Sequence, residues 1–90
     1  MNRFRARVKG VVQGVGFRYF VMRKASNLKL AGYVRNCPDG DVELEAEGDE
    51  ESLKILIDQL RQGPPLSRVD DLKLEWLEEK RGYKDFGLKW

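Results

Sequence analysis

Arg3-Phe4-Arg5-Ala6-Arg7-Val8-Lys9-Gly10-Val11-Val12 runs into Gln13-Gly14-Val15-Gly16 and then into Phe17-Arg18-Tyr19-Phe20-Val21-Met22-Arg23-Lys24-Ala25-Ser26-Asn27-Leu28, and the hydrophobic period changes at the join. Upstream, Phe4, Ala6, Val8, Gly10 and Val12 alternate with Arg3, Arg5, Arg7 and Lys9, the period of two of a strand buried on one face. Downstream, Phe17, Val21, Ala25 and Leu28 fall on one helical face. The four residues between them read as a tight loop from strand to helix.

The rest of the chain repeats this alternation. Ala31 to Cys37 reads as a second strand, and Pro38-Asp39-Gly40 is a hairpin turn signal. A third strand sets Val42, Leu44 and Ala46 against Glu43, Glu45 and Glu47. Asp49, Glu50 and Glu51 open a second helix with a stripe of Leu53, Leu56, Ile57 and Leu60; Gly63 and Pro64-Pro65 end it. A fourth strand from about Val69 to Leu77 and a short last strand with Phe86, Leu88 and Trp90 follow. The order βαββαβ plus one strand predicts an α+β, ferredoxin-like sandwich with an antiparallel sheet and both helices on one face. The first and third strands are then neighbours, and the row Arg3, Arg5, Arg7, Lys9 faces Glu43, Glu45 and Glu47 as a solvated charge ladder on the open face.

At 90 residues the chain is expected to be one domain, residues 1–90. No apolar run is long enough for a membrane span, and the N-terminus does not resemble a signal peptide, so the expected location is the cytoplasm and no membrane partner is expected. The 17 basic and 15 acidic residues leave a net charge of +2, too balanced to argue for nucleic acid. There is no histidine, which removes histidine bases, Ser-His triads and His-ligated zinc together. The single cysteine, Cys37, excludes an intrachain disulfide. No metal or other cofactor is expected, and chemistry must come from Arg, Lys, Asn, carboxylates, hydroxyls or backbone N–H groups.

Arg18 is out of place. It lies in the first turn of the first helix, where the helix dipole is positive and a cation costs roughly 0.3–1 kcal/mol. An anion held between Arg18 and the free N–H groups at that terminus would reverse the penalty, and flanking glycines suit such a site. The topology nominates Asn36 as a second residue. The first two strands run parallel, so their C-terminal ends share one edge of the sheet, and Asn36 has the parity of Val34. Plain structural readings stand beside each: a tight turn needing positive φ for Gly14 and Gly16, a solvated side chain for Arg18, and support of the hairpin turn for Asn36.

At these residues the sequence resembles the acylphosphatase family. One matching block is Gly10-Val11-Val12-Gln13-Gly14-Val15-Gly16-Phe17-Arg18. Another is Gly32-Tyr33-Val34-Arg35-Asn36, continuing through Asp39-Gly40 to Val42-Glu43 and Gly48, with a looser match at Gly63-Pro64 and beyond. The resemblance implies an enzyme that hydrolyses acyl phosphates to carboxylate and inorganic phosphate without a metal. It implies that Gly14, Val15, Gly16, Phe17 and Arg18 bind the phosphoryl group, the loop through its N–H groups, and that Arg18 and Asn36 are catalytic, Asn36 orienting the attacking water. The expected partners are a small acyl phosphate as substrate and inorganic phosphate as product and inhibitor, with the enzyme a monomer. Lys29 departs from the pattern, standing where the family often has glycine.

Two other functions share this architecture. A nucleic-acid-binding module would stack bases on aromatics of the open face, where parity places Tyr33 alone among Arg, Lys and Glu. A non-catalytic accessory domain of a larger carbamoyl-handling enzyme would keep the fold without activity; against it stands a 90-residue chain with no partner domain.

Overall fold

The computed structural model describes residues 2–79 and 81–89. Its elements follow the order read from the sequence: β1 (Asn2–Val11), α1 (Phe17–Asn27), β2 (Ala31–Asn36), β3 (Val42–Gly48), α2 (Glu50–Gln62), β4 (Arg68–Leu77) and β5 (Phe86–Lys89). They build a five-stranded sheet in the order β4-β1-β3-β2-β5. Phe4, Ala6 and Val8 of β1, Val34 of β2 and Val42, Leu44 and Ala46 of β3 are buried against Phe17, Val21 and Ala25 of α1 and Leu53, Leu56, Ile57 and Leu60 of α2. Each Val, Leu, Ile or Phe among them contributes about 1.5–3 kcal/mol on full burial, which is what holds the two layers together. Trp90, assigned by pattern to the last strand, lies outside the described residues.

The pairings β1–β3, β1–β4 and β2–β3 are antiparallel, as expected of the βαββαβ unit. The fifth strand corrects the wholly antiparallel expectation: β5 joins β2 in parallel, with Gly32 beside Phe86 and Val34 beside Leu88, so the sheet is mixed. The reason is geometric. β4 occupies one edge and β5 the other, so the connection between them has to cross the sheet.

That crossing changes the polar face. Glu79 takes a hydrogen bond from Arg3 Nε on its carbonyl at 2.7 Å, the N–H groups of Arg81 and Gly82 donate to Glu47 at 3.0 and 3.1 Å, and Tyr83 OH donates to Glu45 at 3.0 Å. The expected solvated ladder is therefore covered at this end: Glu45 is 2% exposed and Glu47 3%, and Arg3 is buried as well. The two rows do face each other, with Arg3 opposite Glu47 and Arg5 opposite Glu45. Glu45 takes both its direct partner Arg5 at 3.0 Å and, on the diagonal, Arg3 at 2.7 Å. Arg7 turns away from Glu43 to Asp39 and Asp41, and Glu43 pairs with Arg35. Tyr33 is not a free platform on this face. Its hydroxyl donates to Glu43 at 3.0 Å, the Tyr83 ring lies edge-on at 6.1 Å and Lys89 sits 4.3 Å over its ring.

α1 ends in a Schellman turn. Lys29 N–H donates to Ser26 O at 3.0 Å and Leu30 N–H to Ala25 O at 2.9 Å. Lys29 occupies the left-handed position with φ 59°, the only non-glycine residue at positive φ among those described. A side chain there costs roughly 1–2 kcal/mol. Lys29→Gly is accordingly expected to stabilise the protein by about 0.5–1 kcal/mol, since part of the relief is lost to the freer unfolded chain. Urea unfolding of the two proteins checks this, and no gain would contradict the strain.

Burial raises the pKa of Glu45, but hydrogen bonds from Arg3, Tyr83 and Arg5 outweigh it and hold the carboxyl below its ordinary value. A depressed folded-state pKa stabilises the fold fully above the unfolded value of about 4.3, and that stabilisation disappears as pH falls through the folded value. Stability should therefore be flat from neutral pH down to about 4.3 with respect to this group and decline below it. Glu45→Gln should be less stable at pH 7, leaving Arg3 buried without its anion, and should show a shallower acid decline in urea midpoints. An unchanged acid limb would assign the decline to other carboxylates.

Candidate active site

β1 and β2 both run antiparallel to β3, so they are parallel to each other and their C-terminal ends share one edge of the sheet. At that edge a cleft of about 140 Å³ is lined by Val12, Gly14, Gly16, Phe17, Arg18, Tyr19 and Asn36. Arg18 and Asn36, nominated separately from the sequence, thus meet at one cleft.

The loop is held from below by two core residues, Val12 and Phe17, each 1% exposed. Between them Gly14 (φ 75°) and Gly16 (φ 79°) take the left-handed conformation that allows so short a reversal. The plain turn reading of the two glycines is thus correct, and compatible with a binding role: a Cβ on either would meet nothing within 4 Å, so the loop backbone stands open to the cleft. Phe17 fills the core with its ring, 6.0 Å from that of Phe20, while its backbone opens the helix. The neighbouring Arg18 is thereby directed to the cleft.

The two helix starts differ in chemistry. Asp49 caps α2, accepting from Ser52 N–H at 3.2 Å, and Glu50 and Glu51 follow in the first turn. α1 starts at Gly16 with no side-chain cap and no acidic residue in its first turn; Phe20 N–H bonds back to Gly16 O at 3.0 Å. The preceding N–H groups and the positive end of the dipole favour an anion there.

Asn36 has the parity of Val34, as read from the sequence, and its Oδ1 is buried without a hydrogen-bond partner among the described residues. Gln59 Oε1, away from the cleft, is likewise without a partner among the described residues; an unsatisfied buried acceptor costs about 1–3 kcal/mol. Two residues, one in the cleft wall and one in the loop beside it, carry no individual role from the sequence. Tyr19, 60% exposed, forms part of the wall beside Arg18. Gln13 was legible only as a loop residue, because its partners belong to a distant hairpin: its amide donates to Cys37 O at 2.8 Å and Asp41 O at 2.9 Å.

A larger cleft of about 320 Å³ lies on the polar face between Arg5, Arg7, Glu43, Lys73 and Glu75. Arg5 is already paired with Glu45 and Glu75, and Arg7 with Asp39 and Asp41, so these two arginines are committed within the protein. Among the described residues no three acidic, His or Cys side chains gather as a metal site, and no helix is long and apolar enough to cross a membrane.

Fold and cleft together define a ferredoxin-like α+β domain with a small polar cleft where its first strand turns into its first helix. A family model for acylphosphatase matches residues 4–88. An acylphosphatase of Bacillus licheniformis is 48% identical over 90 residues, covering all of both chains. One of Thermus thermophilus is 50% identical over 86 residues, covering 96% of this chain and 97% of that one. The crystal structure of acylphosphatase from Bacillus subtilis superposes with a TM-score of 0.98 at 41% identity, covering both chains completely. The chain belongs to the acylphosphatase family and is an enzyme of that family.

Cys37 follows Asn36 but is buried toward Arg7 and Arg35. Burial pushes its thiol pKa up, against the pull of those two cations. It is a poor nucleophile at neutral pH. Cys37→Ser should retain turnover within about twofold, at some cost in stability, because the thiolate has no part in the site. Loss of turnover in a folded Cys37→Ser protein would require a covalent route.

Proposed function

We propose that the cleft at the start of α1 binds the phosphoryl group of an acyl phosphate and transfers it to water. The observation that carries this reading is the uncapped, acid-free start of α1 beside Arg18, opposite the unpartnered Asn36 Oδ1. In this reading the backbone N–H groups of Gly14, Val15, Gly16, Phe17 and Arg18 and the planar Arg18 guanidinium receive the phosphoryl oxygens. They stabilise charge on the equatorial oxygens as the P–O bond to the acyl group loosens, which is most of what phosphoryl transfer demands.

Asn36 Oδ1 accepts a hydrogen bond from the attacking water and aims its lone pair at phosphorus. A new P–O bond forms as the acyl P–O bond breaks, and the leaving group departs as a carboxylate, stable as an anion, so no general acid is needed. An amide cannot take a full proton. The water's proton goes to a phosphoryl oxygen, and inorganic phosphate leaves as product and competes with substrate for the loop. No step calls for a metal.

The same reading takes the whole chain as one domain acting as a cytoplasmic monomer. Charged residues on the edge strand β4, Asp70, Asp71, Lys73 and Glu75, discourage pairing with another copy.

The roles of the two residues separate kinetically. Arg18→Ala should weaken inhibition by inorganic phosphate and reduce turnover of acetyl phosphate, and Arg18→Lys should recover little because an ammonium lacks the fork. Asn36→Ala should lower kcat about 10²-fold or more while phosphate inhibition changes little, as for loss of one oriented hydrogen-bonding group. Phosphate binding lost in Asn36→Ala and kept in Arg18→Ala would reverse the assignments; neither quantity changing in either variant would place the site elsewhere.

A further inference from the structure

The two halves of the site stand on strands that do not touch. β3 lies between β1, which carries the loop, and β2, which carries Asn36. Val42 of β3 is paired with Val8 on one side and Asn36 on the other, but β1 runs on from Val8 to the loop with no β3 partner, so no ladder reaches from the loop itself to Asn36. Gln13 spans that gap. Its Nε2 donates one hydrogen to Cys37 O at 2.8 Å and the other to Asp41 O at 2.9 Å, reaching residues 24 and 28 positions away. Both carbonyls belong to the hairpin that begins directly after Asn36, and that hairpin is closed on itself, Cys37 N–H to Asp41 O at 2.8 Å and Gly40 N–H to Cys37 O at 3.1 Å. Asp41 is further held on the polar face by Arg7 at 3.2 Å and Lys9 at 2.8 Å, so the acceptor is anchored. A primary amide supplies the two N–H donors without a charge; a carboxylate of the same length would bring only acceptors against two carbonyls.

We propose that Gln13 is a positioning residue for the hydrolysis, an amide staple that fixes the loop at the distance from Asn36 at which the held water lines up with the bound phosphorus. The proposal rests on the reading that the loop and Arg18 hold the phosphoryl group and Asn36 the water. It assigns Gln13 no contact with substrate. The phosphate donors lie within the loop and Arg18, all on one side of the gap, so loss of the staple leaves phosphate affinity in place. What changes is the alignment of the water with phosphorus, to which rate is steeply sensitive.

The test uses Gln13→Met, of similar length without donors, and Gln13→Asn, with the same amide on a stem one methylene shorter. Both are assayed for kcat on acetyl phosphate and for inhibition by inorganic phosphate, beside Arg18→Ala and Asn36→Ala. The expected result is a kcat reduced about tenfold in both Gln13 variants, with the phosphate inhibition constant changed less than about threefold. A merely structural role would loosen the loop and weaken phosphate in step with turnover, and that pattern overturns the proposal. Undiminished kcat in either folded Gln13 variant overturns it too, and Gln13→Asn decides alone if Gln13→Met does not fold. If Arg18→Ala and Asn36→Ala lose function while the Gln13 variants keep it, the staple alone fails; if none of the four variants changes either quantity, the site reading fails with it.

Discussion

Val12 and Phe17 are both buried, and only four residues lie between them to turn a strand into a helix. That spacing is the constraint on which the rest of the site depends. A reversal so short needs left-handed backbone, which Gly14 and Gly16 supply without strain. Left-handed Gly16 at the helix start leaves no side chain of its own to cap the first turn, so the positive dipole end faces the cleft without a side-chain cap. With Phe17 committed to the core, Arg18 is carried to the opening. Core packing, loop conformation and charge placement are thus one requirement met by the seven consecutive residues from Val12 to Arg18.

The second half of the site comes from the βαβ crossover, which lays β2 parallel to β1 with β3 between them. This brings Asn36 to the same edge of the sheet at a sequence distance of 18 residues from Arg18, a separation read directly from the numbering. It also leaves the loop without a backbone ladder running directly to β2, a gap that the side chain of Gln13 bridges.

The polar face follows different physics. Burying Glu45 and Glu47 exacts a desolvation penalty that ion pairing alone rarely repays. Here Glu45 is met by Arg3, Arg5, Tyr33 and Tyr83, and Glu47 by the backbone of Arg81 and Gly82. These bonds tie the crossing connection to the sheet at the end opposite the cleft. The two faces divide the labour: apolar packing of the helices builds the site, and satisfied charges hold the fifth strand in place.

Much of this was legible in the residues themselves. The period change at Gln13–Gly16 placed β1, the loop and α1, because one-sided burial imposes its period on a chain whatever lies around it. Arg18 stood out because a cation at a helix start opposes a field that is local to the helix. The parity of Asn36 with Val34 placed it on the right face, since side chains of a strand alternate. Lys29 was conspicuous only against a family pattern; that it takes positive φ is visible in the Schellman turn itself. Other features belonged to the tertiary structure alone. The parallel addition of β5 beside β2, the burial of Glu45 and Glu47 beneath the crossing, the diagonal pair of Arg3 with Glu45 and the reach of Gln13 to Cys37 and Asp41 all join residues far apart in the chain. Periodicity reports which way a side chain faces its own layer. Which distant segment comes to cover it depends on how the layers close, and that is settled only when the whole chain packs.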